Sequence, residues 1–132
     1  MFHKTGIKRF GKVKVAVIGM TLEPAPGLDP TAGAASAIAE VVLYNIFETL
    51  TKINADGSVT PLLAQSWEIS PDLKTYTFKL RRDAKFQNGE PFNAQTVKYS
   101  FERAAADKST NKDKRLFQTM AFISTPDPYT VV

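Results

Sequence analysis

The chain has 132 residues, 43% of them hydrophobic and 23% charged, with no cysteine and a single histidine. That length suits one domain with its own core, and the composition argues against a disordered chain. The missing cysteines exclude disulfides, a thiolate nucleophile and Cys-ligated zinc or iron–sulfur sites.

The net charge of +4 comes from the start of the chain, where Lys4, Lys8, Arg9, Lys12 and Lys14 occur without an acidic residue; 12 basic and 13 acidic side chains remain elsewhere. Residues 1–11 read as a basic tail, and residues 12–132 as a single α/β unit. Such an arm can bind nucleic acid or another polyanion electrostatically, which is one reading of the function. The tail is not a secretory signal, because Lys14 and Gly19 interrupt the apolar run behind it. His3, alone in this polar segment, reads as inert.

Val13, Val15 and Val17 alternate with Lys14 and Ala16, which predicts a first strand over residues 12–18. Residues 21–33 carry three prolines and two glycines and predict a structured loop. A helix follows from Ala34, with Ser36 able to cap it and Ala39, Val42, Leu43, Ile46, Phe47 and Leu50 on one apolar face. Residues 54–57, Asn-Ala-Asp-Gly, make a turn, and Ala64-Gln65-Ser66 a short helical turn.

The clearest strand comes next. Tyr76, Phe78 and Leu80 alternate with Thr75, Thr77, Lys79 and Arg81, the period of two that one buried and one wet face requires. Trp67 and Ile69 form a shorter alternating run, and Ser70-Pro71-Asp72 joins the two as a hairpin. Phe86 and Phe92 bracket a second reversal at Asn88-Gly89, after which Asn93 opens a helix that buries Val97, Phe101, Ala104 and Ala105. Residues 107–115 read as an exposed loop. A short amphipathic helix is expected at Leu116, Phe117, Met120 and Phe122, then a strand at residues 129–132. The sequence stops inside that strand, so an unpaired edge, a continuing polypeptide and self-association are expected. The predicted core is Val15, Val17, Val42, Leu43, Ile46, Phe47, Trp67, Tyr76, Phe78, Leu80, Val97 and Phe101.

The ordered set Leu-Ala-x-Ser-Trp-Glu (residues 63–68), Thr-Tyr-Thr-Phe-Lys-Leu-Arg (75–81) and Ala-Lys-Phe-x-Asn-Gly-x-Pro-Phe-Asn-Ala (84–94) resembles the extracytoplasmic solute-binding proteins of peptide and nickel ABC transporters. Leu28-Asp29-Pro30, Tyr44-Asn45-Ile46-Phe47-Glu48-Thr49-Leu50, Val97-x-Tyr-Ser-Phe-Glu-Arg103 and Pro126-Asp-Pro-Tyr-Thr-Val131 extend the likeness over residues 12–132 in the family's order. It implies a mixed α/β fold, the N-terminal lobe fragment of a periplasmic-binding-protein-like two-lobe architecture. It also implies a substrate-binding component of an ABC importer for peptides or similar small polar solutes, outside the cytoplasm, with its signal peptide missing from this sequence. The partners would be the solute, the permease subunits and the rest of the two-lobe protein.

Ligands of open α/β sheets gather where strands lead into helix N-termini. By the resemblance the loop lining the cleft corresponds to Thr31, Ala32, Gly33, Ala34 and Ala35, whose small side chains let a ligand approach the main chain. Asp29 and Pro30 are assigned to holding that loop's shape.

Catalytic chemistry is nearly absent. The lone His3 excludes a serine triad, no G-x-x-x-x-G-K-[ST] or G-x-G-x-x-G run is present, and Glu23 with Asp29 is a poor acid pair. No enzyme activity and no cofactor or metal are expected. Lys79, Arg81 and Arg82 beside Tyr76 and Phe78 suggest a surface for single-stranded nucleic acid, but alternation puts the aromatics on the face opposite Lys79 and Arg81.

Overall fold

The computed structural model of the chain describes residues 19–25, 27–31 and 36–132. The basic arm, the strand predicted at residues 12–18 and the core positions Val15 and Val17 lie outside those residues. In order, the described elements are α1 (Ser36–Val42), β1 (Thr51–Ile53), β2 (Val59–Pro61), β3 (Ala64–Ile69), β4 (Tyr76–Leu80), α2 (Ala94–Ala105), α3 (Lys114–Phe117) and β5 (Thr130–Val131).

Helix α1 is shorter than its apolar spacing predicts. It buries Ala37, Ile38 and Val42 and then ends, because Tyr44 turns the backbone left-handed at φ 65°. The Asn45 side-chain amide closes the end by donating to the Val41 carbonyl at 3.1 Å. Ile46 and Phe47, expected in the core, therefore leave the helix and are 45% and 47% exposed. Both their amides return to the Val42 carbonyl at 2.9 Å.

Strands β1 and β2 form an antiparallel hairpin that the sequence announces only through its turn. Gly57 takes φ 81°, and the Asp56 carboxylate accepts from the Ser58 amide at 2.9 Å and the Ser58 hydroxyl at 2.6 Å. Such side-chain mimicry of a backbone turn is the reason Asx residues favour these positions.

The predicted central hairpin is present, with Trp67 opposite Phe78 and Ile69 opposite Tyr76. Its first arm corrects the expected helical turn: Ala64, Gln65 and Ser66 belong to β3, with a register shift between Ala64 and Ser66. The β-branched and aromatic residues downstream carry the strand back through this polar start. Leu73 turns the hairpin at φ 59°, and the Asp72 carboxylate accepts from the Ser70 hydroxyl and the Lys74 amide.

Beyond β4 the Asn88-Gly89 reversal forms as expected. Gly89 has φ 89°, and the Phe86 and Phe92 rings meet edge to face at 6.1 Å. Asn93 then caps α2 in a reciprocal pair: its side chain accepts from the Thr96 amide at 3.1 Å, and its own amide donates to the Thr96 hydroxyl at 3.2 Å.

Helix α2 lies over one end of the sheet ordered β3-β4-β5, and Ala64, Leu80, Phe92, Ala94, Val97 and Val131 form the buried cluster. Trp67, Phe78 and Phe101 are only partly buried, and Tyr76, expected in the core, is 45% exposed. The helix α3 covers only Lys114–Phe117; Met120 and Phe122, expected on it, follow its end and are exposed. It is held to α2 by an edge-to-face contact of Phe101 with Phe117.

The edge expected to be open at the last strand is covered. Val132 exchanges two backbone hydrogen bonds with Ser124, at 2.8 and 2.9 Å, and Asp127 bridges to Thr130.

Candidate functional site

Of the five loop residues assigned to ligand contact, Thr31 is described and exposed; Ala32, Gly33, Ala34 and Ala35 lie outside the described residues. The Asp29 carboxylate accepts from the Thr31 amide at 2.8 Å and from its hydroxyl at 2.7 Å. This is the shape-holding role expected of Asp29, and it ties that carboxylate to the turn instead of an acid pair. The Thr31 carbonyl accepts from the Lys112 amide at 2.9 Å, so the loop is pinned to the segment before α3.

A separate open depression of about 450 Å³ is lined by Pro61, Leu62, Gln65, Arg81, Arg82 and Asp83, and it shares no residue with the loop. Its cations are engaged. Arg81 grips Asp83 at two points, 3.0 Å from Nε and 2.8 Å from Nη2, a charge-assisted bond that raises the guanidinium pKa further. Arg82 lies over the Tyr129 ring at 5.1 Å. Strand alternation places Arg81 on the face opposite Tyr76 and Phe78 but does not reveal this depression. The one signal for it is Arg81-x-Asp83 directly after the strand, which brings the pair to one side of the turn.

Lys79 donates to the Thr130 hydroxyl at 3.1 Å, while Tyr76 and Phe78 belong to the strand that alternates with it. Lys79 thus stays on the face opposite Tyr76 and Phe78, which keeps this cation apart from those two rings.

The shifted carboxylates are structural. The Ser58 hydroxyl and amide lower Asp56, the Ser70 hydroxyl and Lys74 amide lower Asp72, and the Thr130 hydroxyl and Tyr129 amide lower Asp127. Each is a turn residue bonded in its charged form. Among the described residues no group of three or more His, Cys, Asp or Glu is placed to hold a metal, and no helix is long and apolar enough to cross a membrane.

The mixed helix–strand unit matches part of the chain of solved binding proteins. A Haemophilus influenzae OppA in complex with RPPGFSPFR superposes with a TM-score of 0.65 and 26% identity, over 79% of this chain and 23% of that one. NikZ from Campylobacter jejuni in complex with Ni(L-His) gives 0.59 and 32%, over 62% of this chain and 17% of that one.

Residues 58–132 match bacterial extracellular solute-binding proteins, family 5, in the portion described as middle, and the chain belongs to that family. Among curated relatives, the nickel-binding periplasmic protein of Escherichia coli K12 is 55% identical over 62 residues, 47% of this chain and 12% of the relative. The glutathione-binding protein GsiB of Salmonella choleraesuis is 35% identical over 104 residues, 79% of this chain and 20% of the relative. The chain therefore spans a fifth or less of these relatives' length. Proteins of this family are transport binding proteins, as the resemblance in the sequence implied.

Proposed function

We propose that the chain forms part of the substrate-binding component of an ABC importer for peptides or similar small polar solutes, acting outside the cytoplasm and without enzymatic chemistry. The observation that carries this reading is the family match over residues 58–132. Two lobes would close on the solute, and the closed form would engage the permease subunits. Residues 12–132 would supply structure from the N-terminal lobe. The loop Thr31, Ala32, Gly33, Ala34 and Ala35 would form one wall of the cleft, with Asp29 fixing its shape.

The relatives bear different names for their ligands, among them nickel, oligopeptide, dipeptide and glutathione. A chain similar to relatives with such different ligands supports scaffold more than ligand choice. Within the matched residues 58–132, Ala64, Leu80, Ala94 and Val97 are core and Asn93 is a cap, which fits that role.

Alone, one wall would meet the ordering and desolvation costs of binding with about half the contacts. Half of a micromolar interaction, roughly 4 of 8 kcal/mol, corresponds to millimolar affinity. Calorimetry of residues 1–132 with tri- to pentapeptides at micromolar concentration should thus give no measurable heat, and tight saturable binding would overturn the two-lobe mechanism. Exchanging the matched segment of the Salmonella glutathione-binding protein for this one tests the scaffold role. The folded chimaera should keep glutathione affinity within about tenfold, and Gly33→Trp within it should weaken binding without unfolding. A folded chimaera that binds no glutathione argues against the scaffold role, and unchanged affinity in the Gly33→Trp form removes the loop from the cleft.

A further inference from the structure

Two turns of the chain, over residues 54–58 and 86–90, are built bond for bond alike. In the first, the Asn54 amide donates to the Ser58 carbonyl, the Gly57 amide to the Asn54 carbonyl and the Ser58 amide to the Asp56 carboxylate, each at 2.9 Å. In the second, the Phe86 amide donates to the Glu90 carbonyl at 2.8 Å and the Gly89 amide to the Phe86 carbonyl at 2.9 Å. The Glu90 amide donates to the Asn88 side-chain oxygen at 3.0 Å. Both glycines are left-handed, at φ 81° and 89°. Asn88 thus stands where the other turn carries an aspartate.

That difference is a reactive one. The chain has five asparagines, Asn45, Asn54, Asn88, Asn93 and Asn111, and only Asn88 precedes a glycine. A Cβ on the following residue crowds the approach of its backbone nitrogen to the asparagine side chain and narrows its backbone freedom, and glycine does neither.

We propose that Asn88 is a modification site, deamidating to aspartate at a rate set by opening of the 86–90 turn. This rests on the turn alone and stands or falls independently of the transport reading. The Gly89 nitrogen gives its proton to water or hydroxide and attacks Cγ of Asn88, Nδ2 leaves as ammonia, and a five-membered succinimide closes. Water then opens the ring. Addition at Cγ restores the ordinary peptide bond and leaves aspartate, whereas addition at the Asn88 main-chain carbonyl leaves isoaspartate. No oxidant or reductant enters. While the turn is closed, the proton that must be removed is held on the Phe86 carbonyl, and the side-chain amide is held by the Glu90 N–H. Together these bonds slow the step by about tenfold or more.

The two products part company at the turn. Aspartate fits, since Asp56 makes the same bond in the other turn, and the Glu90 amide then donates to a carboxylate, a stronger acceptor. Isoaspartate adds a carbon to the main chain between residues 88 and 89. It therefore moves the Gly89 amide off the Phe86 carbonyl, beside the contact of Phe86 with Phe92.

The test compares the whole chain, folded and unfolded in guanidinium chloride at neutral pH, by peptide mapping with mass spectrometry. Hydrogen exchange of the Gly89 amide is measured on the folded chain by NMR. Exchange removes the same proton through the same opening, so folding should slow deamidation by the Gly89 protection factor, within about fivefold. The Asn88→Asp chain should keep that protection, and the isoaspartate form, separated by chromatography, should lose it. Asn88 reacting equally fast folded and unfolded, a mismatch with the protection factor beyond about fivefold, or another asparagine reacting first in the unfolded chain would overturn the proposal. So would an Asn88→Asp chain that folds without protecting Gly89.

Discussion

The two ends of the β3–β4 hairpin share one alternation and end in opposite surroundings. At the end near α2, Ala64 and Leu80 are 0% and 2% exposed; at the turn end, on the same face, Ile69 and Tyr76 are 44% and 45% exposed. Alternation therefore selects a face and does not bury it. Burial follows from what lies above, and α2 with its Ala94 and Val97 reaches only the first end. Among the described residues no helix covers the exposed half.

The largest expected effect separates the two ends directly. Leu80→Ala should cost about 2–5 kcal/mol, because it opens a cavity beneath Val97 and Val131. Ile69→Ser should stay within about 0.5 kcal/mol when urea unfolding is followed at low protein concentration. Equal losses at the two positions would break the comparison.

The lid over the buried end depends on its cap. Asn93→Ala should lose about 1 kcal/mol, since the Thr96 amide loses its side-chain acceptor while the bond from the residue-93 amide to the Thr96 hydroxyl remains. Asn93→Asp keeps an acceptor for the Thr96 amide and should retain most of that stability in the same unfolding assay.

At the exposed end the tip carries strain. Leu73 holds φ 59° while exposing most of its side chain. A left-handed conformation costs an L-residue roughly 1–2 kcal/mol, and glycine gives back part of that through its own chain entropy. Leu73→Gly should raise the thermal midpoint by a few degrees, with a gain of up to about 1 kcal/mol. A lower midpoint would mean that the Leu73 side chain makes contacts that outweigh the strain.

The smallest effect is set by pH and falls on the turns. Asp56, Asp72 and Asp127 are lowered in the folded chain by hydrogen bonds to their ionised forms. A depressed folded pKa contributes stability that is full above the unfolded value, about 3.9, and disappears as pH falls through the folded one. Unfolding midpoints should therefore drop below about pH 4. Asp56→Asn with Asp72→Asn should flatten that drop, which acid titration of the double variant checks.

Local chemistry was legible wherever one residue type decides one backbone state. Asn54 to Gly57, Ser70-Pro71-Asp72, Asn88-Gly89 and the Asn93 cap all stand where their sequence places them, because side-chain oxygens and positive φ act over two or three residues. The central hairpin and the family resemblance were legible for the same reason, since both rest on order along the chain. What the sequence could not give was coverage. The apolar spacing through Ile46 and Phe47 continues past the point where Tyr44 and Asn45 end α1, and the polar start of β3 looks helical until β4 pairs with it. How the sheet edges are paired was equally a matter of tertiary contact: Ser124 closes the β5 side through bonds between residues distant in pattern, while among the described residues no strand pairs with the outer side of β3. By itself the sequence determined turns, caps, strand faces and the family; only the packed structure decided which apolar face is covered, because burial depends on neighbours that no single stretch of chain encodes.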